Sequence, residues 1–205
     1  MARDLILVAV AYLLGSVPCG IVIARLQGNV DLRRVGSGNI GATNVLRAVG
    51  KGAAVLTLLG DIGKGALAVS LARWAGASSG VVATVALTAV VGHLFPVLAR
   101  FRGGKGVATT LGVVLAAVPA VGGLLVLIWL AVAAIWRYSS LAALAATAAL
   151  PPLLWLLDGR PAMLGASAVL LVLIFARHRD NIQRLLAGTE GKIGQTVRGQ
   201  GSGGH

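Results

Sequence analysis

Residues 107–136, VATTLGVVLAAVPAVGGLLVLIWLAVAAIW, decide how this chain is folded. One membrane crossing takes about 20 apolar residues at about 1.5 Å each. The run is therefore too long for one comfortable crossing and short for two full ones. Pro119, followed by Gly122 and Gly123, breaks it near the middle. Whether it crosses once or twice sets the side on which everything downstream lies.

The rest of the chain is equally apolar. Hydrophobic residues make up 57%, charged residues 12%, and the mean hydropathy is +0.89. Soluble domains carry about 25% charged residues, so composition alone indicates a membrane protein. Candidate spans run from Leu5 to Ala24, closed by Arg25, then Ala53 to Ala72, Ser79 to Leu98, Ser139 to Leu157 and Ala162 to Ala176. The first is too long and too sparsely flanked for a signal peptide and is read as a retained span. The single Cys19 excludes an internal disulfide and a cysteine-based metal cluster.

Three polar stretches interrupt the spans. If 107–136 crosses twice, there are seven spans and all three stretches share one side. That side carries Arg25, Arg33, Arg34, Arg47, Lys51, Arg100, Arg102, Lys105, Arg137, Arg177, Arg179, Arg184, Lys192 and Arg198, 14 of the 18 basic residues. Arg3, Arg73 and Arg160 remain opposite, and Lys64 lies within a span. A single crossing would strand the third stretch on the far side. The positive-inside rule favours two crossings, with the stretches and C-terminus cytoplasmic and the N-terminus outside. The expected fold is an all-α polytopic membrane protein with seven transmembrane helices, one or both of the middle pair short or re-entrant. Residues 1–197 read as one membrane domain and 198–205 as a disordered tail or expression remnant.

The net charge of +12 could point to nucleic acid. The basic residues lie between hydrophobic spans with almost no aromatic interleaving, so lipid headgroups and topology account for it better.

The first polar stretch contains Val35 to Gly52, VGSGNIGATNVLRAVGKG. Gly36, Gly38 and Gly41 match the G-x-G-x-x-G dinucleotide pattern, and Asp61 follows twenty residues later. The context rejects a Rossmann site, because no strand precedes the glycines and Asp61 lies in an apolar span. What survives is a tight backbone with exposed amides, flanked by Ser37, Asn39, Thr43 and Asn44 and by the fork-shaped Arg47. A flexible linker would repeat Gly and Ser rather than place Asn, Thr and Arg so closely.

In the second stretch, Gly103, Gly104, Lys105 and Gly106 lack the Ser or Thr after Lys that a P-loop needs. An ammonium between glycines at a helix start still suits a phosphate, against the plainer reading of a snorkelling lysine. The third stretch offers His178, Asn181 and Glu190. Its alternative is a basic amphipathic tail lying on lipid. Asp61 and Lys64, three apart on one helical face, read first as a structural ion pair and second as site-lining groups. His93 reads as a packed histidine. No nucleophile–base–acid constellation is visible, so catalysis would rest on positioning and charge stabilisation.

Together GSGNIGATNVLRAVGKG, GHLFPVLARFRGGKGVATTLG and RHRDNIQRLLAGTEGKIG, with YLLGSVPCGIVIARL in the first span, resemble the motifs of the bacterial acyl-phosphate:glycerol-3-phosphate acyltransferases. The likeness covers residues 8–194. It implies a seven-helix enzyme of the bacterial inner membrane that moves an acyl group from acyl phosphate to the sn-1 hydroxyl of glycerol 3-phosphate. The products would be lysophosphatidic acid and phosphate, with no metal and no cofactor. Functional coupling to the enzyme that makes acyl phosphate follows. By the resemblance, Ser37, Gly38, Asn39, Gly41, Thr43 and Asn44 hold the acyl-phosphate headgroup. Arg47 and Lys105 clamp phosphate charge, while Gly103, Gly104 and Gly106 shape the glycerol 3-phosphate site. His178, Asn181 and Glu190 orient the acceptor and close the pocket. The resemblance also implies substrate-assisted chemistry, a phosphate oxygen taking the hydroxyl proton. Asp180 stands where many relatives have Glu. Read without the resemblance, a small-anion transporter competes, but its site would sit at mid-membrane within repeats, and no internal repeat is seen. A scaffolding protein would not need three such loops on one face.

Overall fold

The computed structural model describes residues 1–195. The tail from Arg198 to His205, the two residues before it and Arg198's place on the motif face lie outside the described residues. In chain order the helices are α1 (Ala2–Gly15), α2 (Cys19–Leu26), α3 (Ala42–Ala48), α4 (Lys51–Trp74) and α5 (Ser79–Leu94). After a 3-10 turn (Val97–Ala99) come α6 (Val107–Ala117), α7 (Pro119–Trp136), α8 (Ser139–Leu157), α9 (Pro161–Arg177) and α10 (Arg179–Leu186). The described residues contain no strand.

Pro119 turns the chain back on itself. An ideal Cβ at Gly122 would lie 2.8 Å from the Cα of Leu115. Seven residues along a straight helix span about 10 Å, so α6 and α7 must run antiparallel. The C-terminus of α6 reaches the far face. Arg73 in the last turn of α4 donates to the Ala116 carbonyl, and Arg160 before α9 donates to Ala117 O at 3.4 Å. Arg3 donates to Ala75 O at 2.9 Å. The three basic residues expected opposite the motifs therefore share one face, each on carbonyls freed at a helix end.

α6 is short because it starts deep. Thr109, in its first turn, packs against Gly65, fourteen residues into α4 and so about 20 Å along it. The two helices then run in parallel, with Arg73 meeting Ala116 at their ends. The loop ahead of α6 dips between the helices rather than resting on the surface. Seven apolar segments thus appear in the order expected, counting α1 with α2 as one. Five are long enough to cross by themselves.

Two spans are more broken than their hydropathy suggests. The first splits at Pro18, whose missing N–H and fixed φ end the helix; Lys64 Nζ donates to the freed Val17 carbonyl at 2.8 Å. The last span bends by 62° at His178, so the helix does not continue straight through the third stretch.

The core is built from small residues. Ala11, Ala72, Ala86, Ala89, Val69, Val85 and Val90 are fully or almost fully buried, because helices in lipid associate by close packing of small side chains. At Gly112 a Cβ would fall 2.0 Å from the Ile62 carbonyl oxygen. Gly112→Val should lower the thermal midpoint in detergent by roughly 5 °C, from an overpacking cost of about 1–3 kcal/mol. Gly123→Ala, with nothing within 4 Å, should leave it unchanged.

Candidate active site

Asn44 organises the first polar loop. Its Nδ2 is shared between the carbonyls of Leu32 (3.0 Å), Val35 (3.0 Å) and Asn39 (2.8 Å). Its Oδ1 accepts the Ser37 N–H at 2.9 Å. The chain between can wrap round this amide because Gly36 and Gly38 take φ of 60° and 68°, a region open to glycine without steric cost. The loop thereby presents Ser37 and Asn39 to a cavity, with Thr43 and Arg47 added by α3. Thr43 Oγ1 meets Ser139 Oγ at 2.9 Å, and Arg47 Nη2 donates to Gly191 O at 3.2 Å. The first stretch is thus tied to α8 and to the third stretch.

The second stretch is clamped from two sides. Gly104 N–H donates to the His93 carbonyl at 3.2 Å. Arg177 donates to Gly103 O at 3.0 Å and Gly104 O at 3.2 Å. Lys105 follows, and its Nζ donates to Asn181 Oδ1. Burial pushes the Lys105 ammonium down to about 8, although Glu190 opposes the shift.

The bend between α9 and α10 aims His178 and Asn181 into the same cavity. His178 Nδ1 lies 2.8 Å from Ile174 O. A carbonyl can only accept, so Nδ1 carries the proton and Nε2 is left as an acceptor. Burial holds this imidazole at about 4, hence neutral at pH 7. Asn181 bridges onward, its Nδ2 donating to Glu190 Oε1 at 2.6 Å. Ser140 donates to the same oxygen at 2.6 Å, and Arg184 pairs with Oε2 at 2.7 Å. Burial works to raise the Glu190 carboxyl, but these hydrogen bonds from Ser140, Asn181 and Arg184 hold it below the usual carboxylate value.

The resulting cavity is about 760 Å³. Of the residues singled out from sequence, it gathers Ser37, Asn39, Gly41, Thr43, Asn44, Arg47, Lys105, Gly106, His178, Asn181 and Glu190. Gly38, Gly103 and Gly104 do not line it. Gly38 closes a turn by donating to Val35 O at 3.1 Å, and the other two shape the loop behind Lys105. Away from the polar groups the wall becomes apolar, with Leu58 and Ile62 of α4, Leu111 and Leu115 of α6, and Val126, Trp129 and Leu130 of α7. Leu58 and Leu130 in this wall are themselves exposed, so the arm is an open apolar cleft between the spans.

Sequence reasoning missed Ser139 and Ser140. They read as the polar start of a span after Arg137 and Tyr138, and only folding brings Glu190 beside them. Ser140→Ala should lower kcat/KM by about tenfold, the worth of one hydrogen bond to a charged group, with little change in thermal midpoint. Asp61 and Lys64 do pair, at 2.7 Å, and Asp61 and His93 also line the cavity.

A helical bundle of this kind, carrying a basic polar pocket that continues into an apolar arm, defines a polytopic membrane protein with an amphiphilic cavity. The glycerol-3-phosphate acyltransferase family model matches residues 5–188. A glycerol-3-phosphate acyltransferase of Rubrobacter xylanophilus is 50% identical over 204 residues, covering 97% of this chain and 99% of that one. One of Thioalkalivibrio sulfidiphilus is 52% identical over 192 residues, covering 94% and 95%. The crystal structure of PlsY (YgiH), an integral membrane glycerol 3-phosphate acyltransferase in its glycerol 3-phosphate form, superposes with a TM-score of 0.90 at 46% identity, covering 94% of this chain and 96% of that one. Its lysophosphatidic acid form gives 0.87 at 43% identity, covering 93% and 95%. This chain belongs to the glycerol-3-phosphate acyltransferase family. Membership sets aside the anion-transporter reading.

Proposed function

We propose that this protein transfers a fatty acyl group from acyl phosphate to the sn-1 hydroxyl of glycerol 3-phosphate, releasing lysophosphatidic acid and inorganic phosphate. One observation carries the reading. Arg47, Lys105 and the Ser37 loop meet at the polar end of a cavity whose other end is an open apolar arm. Acyl phosphate has that same division, an anionic head on a hydrocarbon chain. The glycerol 3-phosphate and lysophosphatidic acid forms of the related PlsY correspond to one substrate and one product of this reaction.

In the chemical step the acceptor oxygen attacks the acyl carbonyl carbon and the carbon–oxygen bond to phosphate breaks. The hydroxyl proton ends on the departing phosphate, whose oxygens are the nearest base in a substrate-assisted mechanism. No protein nucleophile and no metal takes part. Arg47 and Lys105 stabilise phosphate charge in a partly dry site, where such contacts count for more than in water. Neutral His178, accepting at Nε2, orients the acceptor hydroxyl. Glu190 fixes Asn181, and Asn181 fixes Lys105. Ser37 with Asn39 and Thr43 holds the donor headgroup, while Asn44 acts through the loop it organises. Residues 1–197 act as one domain in the bacterial inner membrane, with the motif face cytoplasmic, the side to which the positive-inside rule assigns its basic residues. Delivery from the acyl-phosphate-producing enzyme would then occur on that face.

Purified protein given palmitoyl phosphate and radiolabelled glycerol 3-phosphate should form lysophosphatidic acid, and none with palmitoyl-CoA. Product formed only from the thioester would sink the reading.

A further inference from the structure

Two buried groups in the cavity wall have no part in the steps above. Asp61 lies ten residues into α4, about 15 Å along it, and His93 faces it from α5 with Nδ1 at 3.5 Å from Asp61 Oδ1. Among the described residues His93 Nδ1 has no hydrogen-bond partner, and Lys64 is the other group beside Asp61 Oδ1. We propose that Asp61 and His93 are positioning residues for Lys105: Asp61 fixes the His93 ring, and the ring with its own backbone forms the post on which Gly103 and Gly104 fold.

The fit at that post is close. A Cβ at Gly104 would lie 2.2 Å from His93 Nε2, and one at Gly103 2.0 Å from His93 O. The Gly104 N–H is bonded to that same carbonyl. From the opposite side Arg177 holds both glycine carbonyls and stacks on Phe95 at 5.8 Å. The two glycines are therefore gripped between α5 and α9, immediately before Lys105. A lysine stem is flexible, so its ammonium is only as well placed as its backbone. Misplacement by about 1 Å can cost a large part of a rate. Asp61 is in turn anchored through Lys64 to the broken first span, at 2.7 Å from Lys64 Nζ, which also donates to Val17 O. One chain of contacts runs from the Pro18 break to the cationic head of the pocket.

This inference rests on the acyl-transfer reading, and its test separates the two. In the full-length protein in detergent, kcat and KM for glycerol 3-phosphate are measured for wild type, His93→Ala, Lys105→Ala and the double variant. His93→Ala should lose about tenfold in kcat/KM, mostly as a raised KM. Added to Lys105→Ala it should cost less than about twofold, because the lysine it positions is gone. Asp61→Asn, which keeps the shape, should follow the same pattern with a smaller loss. Labelling of Lys105 by trinitrobenzenesulfonate, read by mass spectrometry, should rise severalfold in His93→Ala. If His93→Ala does not fold, His93→Gln enters the same cycle. Unchanged labelling, wild-type kinetics in the histidine variant, or a full tenfold loss on top of Lys105→Ala would overturn the proposal. A wild-type protein that makes no lysophosphatidic acid from acyl phosphate would instead sink the acyl-transfer reading itself.

Discussion

Lys105→Ala should lower kcat/KM for acyl transfer by about 10²–10³-fold, the range for removing one preorganised group that stabilises developing charge. Three features of the site set this size. The ammonium is partly buried, so its interaction with a phosphate is weakly screened. It is held by Asn181, which is itself held by Glu190. The two glycines just before it are clamped by His93 and Arg177. The same burial brings its pKa to about 8. Below that value the lysine is charged, and as pH rises through it the cation is lost. KM for glycerol 3-phosphate should therefore climb across that window in wild type. Lys105→Arg keeps its charge throughout and should lose this dependence, although the guanidinium fork will not match the ammonium's geometry. Steady-state kinetics from pH 6.5 to 9.5 would decide it, and a flat KM in wild type would count against the role.

Asn44→Asp should abolish activity, by more than about 100-fold, while keeping the helical content seen by circular dichroism. The substitution preserves shape but exchanges the amide donors for acceptors. Three loop carbonyls, of Leu32, Val35 and Asn39, would then face a carboxylate oxygen. Each buried carbonyl left unpaired costs about 1–3 kcal/mol, so the loop must rearrange and Ser37 must leave its place. Ser37→Ala, which keeps the loop, should cost less. Near-normal kinetics in Asn44→Asp would mean that the loop holds its shape without this side chain.

The contrast between these two variants reflects how the site is legible. Lys105 could be picked out from its glycine neighbours, since a cation on a tight backbone has a recognisable chemistry. Asn44 could be noticed only as one polar group among several, because nothing local says that its amide will meet residues five, nine and twelve positions away. Ser140 and Glu190 are fifty residues apart, and a hydrogen bond between them leaves no mark on either neighbourhood. Asp61 and Lys64 announced an ion pair by their spacing, but not that His93 would join them.

By itself the sequence determined the class of protein, the order of its apolar segments and the sharing of one face by its three polar stretches. Hydrophobic length and the placement of basic residues follow from the bilayer's thickness and electrostatics, which act on each segment separately. Only the tertiary structure decided which of the two middle segments is the short one, that α6 starts deep beside Gly65, and that Lys105 is therefore partly buried at its head. Those outcomes depend on which small residues let two helices approach and which side chains fill the space between. Packing of that kind is a property of pairs distant in sequence, and hydropathy along a single segment does not record it.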